Sequence, residues 1–87
     1  MGTTIGNVLI SYDVSAKNPE VKAALLKLNY YEAFNQDGKN YNLPNTTLFH
    51  QNKSSDQAMV DMKKVCRDLN VTLEKAVAVK ASEFVGL

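Results

Sequence analysis

The stretch Asn7-Val-Leu-Ile-Ser-Tyr-Asp13-Val-Ser15 limits the fold more than any other part of the chain. It is short, rich in β-branched and aromatic residues, and ends at a carboxylate just before a helix start. Such a run reads as a central strand covered on at least one face. We place the strand over residues 5–14. Val8, Ile10 and Tyr12 point to one side and Leu9, Ser11 and Asp13 to the other, because strand side chains alternate. Both sets begin apolar, which suits the middle of a sheet.

A helix follows. Asn18 serves as its N-cap and Pro19 as its first residue, where a missing N–H costs nothing. Val21, Ala24, Leu25 and Leu28 recur at the spacing of one buried face, Lys22 and Lys27 point outward, and Asn29 is a left-handed terminator. The second helix has the clearer start, since Ser54 with Gln57 three residues on is a capping box. Ala58, Met59, Met62, Val65, Cys66 and Leu69 form its apolar stripe, with the methionines as core filler. Asp61, Lys63, Lys64, Arg67 and Asp68 face water, and Asn70 ends the helix.

Between the helices, Tyr30 to Asn35 suits a strand, Asp37-Gly38 is a turn pair, and residues 44–51 are β-branched and aromatic after Pro44. Proline fits only at a strand's start or edge, so it fixes where that strand begins. The expectation is a hairpin: strand 30–35, a loop over 36–43, and strand 44–51. The last strand alternates Val71, Leu73, Lys75, Val77 and Val79 against Thr72, Glu74, Ala76 and Ala78. The resulting fold is one α+β domain over residues 1–87. It is a ferredoxin-like βαββαβ unit, a four-stranded antiparallel sheet with two helices on one face. A chain this small usually buries the other face against a copy of itself, so a homodimer is expected. The tail, Ala81 to Leu87, is a candidate for adding a strand to that copy.

Ten basic and nine acidic residues give a net charge of +1, a poor footprint for neutralising many phosphates. The single cysteine, Cys66, excludes an internal disulfide and reads as a buried reduced thiol, with a nucleophile as the alternative. A reducing, cytoplasmic compartment suits it. No apolar run approaches a membrane span, and Met1 to Gly6 lacks the features of a signal peptide, so no membrane association is expected. P-loop, zinc-cluster, serine-hydrolase and dinucleotide patterns are absent, as is the aromatic RNA-recognition signature.

In the expected topology, Asp13 lies beside Asn45 and Thr46 and near a loop carrying Asp37, Lys39 and Tyr41. His50 falls at the opposite end, which argues against an Asp13–His50 pair. Asp13 is either a turn residue at a helix entry or a carboxylate ligand for Mg²⁺. One carboxylate is too few for such a site, but two copies of Asp13 meeting across a twofold axis would share one. Asp37 reads as the Asp of its turn. His50 reads as a surface or sheet-edge residue, with a ligand or base as the alternative. Tyr30 and Tyr31 could stack bases on an open sheet, but the basic-Gly-aromatic run that accompanies such aromatics is absent.

The run Leu9-Ile10-Ser11-Tyr12-Asp13-Val14-Ser15 resembles the start of the small CRISPR-associated endonuclease family that partners the spacer-acquisition integrase. Thr46-Thr47-Leu48-Phe49 is similar to its third-strand segment, with Thr47 in place of a serine. SinR-like and VapD-type proteins share the fold and length. The resemblance implies a homodimer in which Asp13 of each copy is the catalytic, metal-associated residue. It also implies Mg²⁺ as cofactor, RNA or DNA as substrate, and an integrase as partner; other members are non-catalytic adaptors that hold DNA. The chain differs from the family in offering Ser15-Ala16-Lys17-Asn18-Pro19-Glu20 where members carry a basic run. Two functions follow: a Mg²⁺-dependent nuclease, or a non-catalytic dimeric module that binds a protein partner or nucleic acid.

Overall fold

A computed structural model describes residues 2–36, 38–44 and 46–81. Along the chain run β1 (Gly6–Val14), α1 (Asn18–Lys27), β2 (Ala33–Gln36), β3 (Lys39–Asn42), β4 (Thr47–Lys53), α2 (Ser55–Asp68) and β5 (Leu73–Lys80). β1 is central to a three-stranded sheet of order β4-β1-β5 and antiparallel to both neighbours. β2 and β3 form a separate two-stranded antiparallel ribbon.

The alternation expected of β1 holds. Val8, Ile10, Tyr12 and Val14 are buried, whereas Asp13 is exposed. These four residues pack with Val21 and Leu25 of α1, Leu48 of β4, and Ala58, Met62, Val65 and Cys66 of α2. A fully buried side chain such as Leu25 or Leu48 contributes roughly 1.5–3 kcal/mol relative to exposure. Both helices therefore share one face of the sheet.

The α+β class stands, but the four-stranded ferredoxin-like sheet does not. Where its outer strand was expected, Tyr31 alone bridges Phe49: the Tyr31 N–H donates to the Phe49 carbonyl at 2.7 Å, and the Phe49 N–H returns a bond of 3.0 Å. Beyond that point the chain turns into its own ribbon, pairing Gln36 with Lys39 and Ala33 with Asn42. Closing a two-residue turn costs little chain entropy. Gly38 sits there at φ 78°, a conformation glycine adopts freely. Pro44, which has no N–H to give a ladder, further favours the short ribbon over extension of the sheet. The segment expected as a loop therefore contains β3, and the strand after Pro44 begins at Thr47.

The helix ends correct two further expectations. α1 is capped by Lys17 in the left-handed region, φ 58°, not by the Asn18 side chain. Leu28, expected on the buried face, is exposed just past the helix. Asn29 and Asn70 do take left-handed conformations, φ 71° and 56°, as helix terminators. The capping box is complete: the Gln57 N–H donates to Ser54 Oγ at 3.1 Å and the Ser54 N–H to Gln57 Oε1 at 3.0 Å. Lys17 Nζ also donates to the Leu69 carbonyl at 3.0 Å, tying the start of α1 to the end of α2.

Candidate functional site

Asp13 occupies the last-but-one position of β1, on the face away from the helices. Its register partner on β5 is Lys75, and Ser11 lies between Thr47 and Val77. The Ser11 and Thr47 hydroxyls are 2.9 Å apart across the β1–β4 boundary. Asp13 borders an open depression of about 260 Å³ lined by Ser11, Tyr12, Asp13, Lys75, Ala76 and Val77. The Tyr12 N–H donates to the Thr46 carbonyl at 3.0 Å, so the end of β1 does lie beside the start of β4. Asn45 and Asp37, expected nearby, fall outside the described residues, as do residues 82–87 of the tail.

A second hollow of about 210 Å³ opens around the same strand end, lined by Tyr12, Asn18, Pro19, Lys22 and Thr46. Lys22 Nζ is 3.4 Å from Glu32 Oε1. Burial pushes the Tyr12 phenol above its ordinary range, with the nearby Cys66 and Glu32 adding to the effect. No group of three or more His, Cys, Asp or Glu side chains among the described residues is placed to hold a metal ion. Asp13 faces a lysine instead of a second carboxylate, so the described residues of one chain do not make a Mg²⁺ site.

The opposite end of the sheet holds the denser polar network. Tyr30, expected on an open sheet, is fully buried among core residues, and its hydroxyl donates to Asp61 Oδ2 at 2.9 Å. Lys53 Nζ reaches that same oxygen at 2.7 Å. Asp61, expected to face water, is thus only 19% exposed at its side chain. Burial and the Asp61 bond together hold the Tyr30 phenol far above its ordinary range.

His50 pairs with Val8, at the far end from Asp13, but it is buried instead of lying on the surface. The Asn52 N–H donates to Nδ1 at 3.0 Å, so Nδ1 must accept. The proton then sits on Nε2, 3.1 Å from the Leu28 carbonyl, which accepts it. Both ring nitrogens are committed, and the Tyr30 ring meets the imidazole edge at a centroid distance of 4.9 Å. Burial lowers the His50 pKa, partly opposed by the Leu28 carbonyl. A histidine held this way is a structural pin, with no free lone pair for a metal or a proton transfer. Cys66 is likewise a buried, unpaired thiol whose pKa burial raises, the opposite of what a nucleophile needs.

No family model, curated protein or solved structure matches the chain. The outer face of the sheet is the other feature with chemical content. Across its rows run Phe49, Leu9 and Val79, then Thr47, Ser11 and Val77, then Asp13 and Lys75. Val77 and Val79 are 55% and 48% exposed. Sequence alternation had placed these valines together; only the strand order shows that they lie at an edge. No helix is long and apolar enough to cross a membrane among the described residues.

Proposed function

We propose that this chain is a non-catalytic, self-associating module that binds a protein partner through the sheet face its helices leave uncovered. One observation carries the reading: Val77 and Val79 stand about half exposed beside Leu9, on the face opposite both helices. Exposed apolar surface on a small domain is a contact surface more often than ornament. The net charge of +1 supports a protein partner over a polyanion. The buried, unpaired Cys66 thiol suits a reducing cytoplasm.

A nuclease of the CRISPR-associated kind is the second reading, favoured by the exposure of Asp13 at the end of the central strand. In that reading Asp13 from two copies would hold Mg²⁺, which supplies an activated water for hydrolysis of RNA or DNA, and an integrase would be the partner. One chain offers Asp13 opposite Lys75, so we derive no step through the metal.

Incubating the chain and Asp13→Ala with RNA and DNA, single-stranded and duplex, in Mg²⁺ or Mn²⁺ tests the choice. Binding without turnover predicts no cleavage by either protein. Metal-dependent cleavage that vanishes in Asp13→Ala, with the circular dichroism unchanged, would establish the second reading instead.

A further inference from the structure

We propose that the hollow between the end of β1 and the start of α1 binds a small monocarboxylate, which accepts a hydrogen bond from the Tyr12 hydroxyl and faces the Lys22 ammonium. The site lies on the helix side of the sheet, away from Val77 and Val79, and is independent of the partner surface.

The hollow measures about 210 Å³ and is walled by Tyr12, Asn18, Pro19, Lys22 and Thr46. That is roughly seven waters at about 30 Å³ each, room for a few carbons and one charged group. Alternation along β1 turns the Tyr12 side chain toward the helices, so its phenol forms the wall on this side. The Tyr12 N–H is engaged with the Thr46 carbonyl at 3.0 Å, which holds Thr46 against the same opening.

The phenol is what points to a ligand. Tyr12 is only 4% exposed. Its hydroxyl nevertheless makes no hydrogen bond, in contrast to that of Tyr30; only burial, Cys66 and Glu32 act on it. Among the described residues, every fully enclosed side-chain nitrogen or oxygen has a partner. The small exposure left to Tyr12 therefore belongs to its oxygen, and that oxygen opens into the hollow. An O–H enclosed to this degree costs free energy unless an acceptor meets it. Burial also keeps the proton on, so the group stays a donor.

Lys22 and Glu32 set the charge of the ligand. Lys22 lines this hollow and a larger one of about 450 Å³, whose walls include Glu32, Asn42 and Pro44. Its Nζ lies 3.4 Å from Glu32 Oε1. One cation already balanced by a nearby carboxylate suits a single negative charge and repels a second, which favours a carboxylate over a phosphate. The rings of Tyr12 and Pro19 offer carbon to the remainder of the ligand, so its body is short and apolar.

Titration of the full chain with sodium butyrate, followed by amide NMR shifts, tests the site, with butyramide and inorganic phosphate as comparisons. Butyrate should give saturable shifts at Asn18, Lys22 and Thr46 in the millimolar range, and the other two should bind at least tenfold more weakly. Tyr12→Phe should weaken butyrate by about tenfold or more, the loss expected for a hydrogen bond to a charged group. Its urea midpoint should match wild type, because the hydroxyl bonds no other part of the chain. Glu32→Gln should tighten butyrate several-fold by removing the opposing charge. Shifts that never saturate, or equal affinity in Tyr12→Phe, would overturn the site. A lowered urea midpoint in that variant would give the hydroxyl to the fold and overturn it as well. Butyramide or phosphate binding as tightly as butyrate, or weaker binding by Glu32→Gln, would overturn the choice of a monocarboxylate.

Discussion

The Tyr30 hydroxyl donates to Asp61 Oδ2 at 2.9 Å, joining the segment after α1 to the middle of α2 at the margin of the apolar core. Lys53 completes the arrangement from the end of β4 by reaching the same oxygen. A phenol this deeply buried needs an acceptor, and a carboxylate this enclosed needs donors. Removing one partner therefore costs more than the bond it made. Tyr30→Phe should lower the unfolding free energy by about 1.5–3 kcal/mol, the range for hydrogen bonds to charged groups. Asp61→Ala should cost at least as much, because the Tyr30 hydroxyl is left without its acceptor. Urea denaturation of both variants measures this, and a Tyr30→Phe protein as stable as wild type would contradict it.

His50 makes stability depend on pH. The unfolded ring titrates near 6.5, while burial holds the folded value lower. Protons then bind the unfolded chain first as pH falls. The stability contributed by neutral His50 is fully present above about pH 6.5 and is lost as pH falls from there to the lowered folded value, after which it stays flat. Tyr30, Lys53 and Asp61 are the groups that face this ring. His50 is the chain's one histidine, so its ring resonances give an unambiguous NMR titration. A midpoint below 6.5 is expected, and one at or above 6.5 would contradict the assignment.

The capping box isolates a smaller effect. Ser54→Ala removes the acceptor for the Gln57 N–H at the start of α2 and should cost about 1 kcal/mol. Thermal or urea unfolding of this variant checks the value.

Asp13 should be thermodynamically silent. It is exposed and its neighbours are the open face of the sheet, so Asp13→Ala should change stability by no more than about 0.5 kcal/mol. Urea curves that overlay would let any change in binding or cleavage be assigned to chemistry at that position.

What the sequence made legible was local. The alternation of β1, the Ser54–Gln57 box and the Asn29 and Asn70 terminators depend on neighbours within a few residues, and each appears in the structure. The four-stranded sheet failed because two pairings competed for the same residues. Tyr31 could extend along β4, or the chain beyond it could close on itself at Gly38, and composition alone does not rank a long-range ladder against a tight turn. The burial of Tyr30 and His50 depended on contacts with Asp61 and Leu28, 31 and 22 residues away, which no periodicity reveals. A signal was present for Asp61 all the same: it lies one residue before Met62 and three after Ala58, at the margin of the apolar stripe. The Lys17 cap needed a left-handed lysine, which sequence preference does not favour.

Sedimentation equilibrium of the wild-type chain, from low to high micromolar concentration, tests the central claim most directly. The sheet face opposite the helices, with a β5 edge that no described strand pairs, predicts a weight-average mass that climbs from that of one chain toward that of two. A single-chain mass across the whole range would contradict the account.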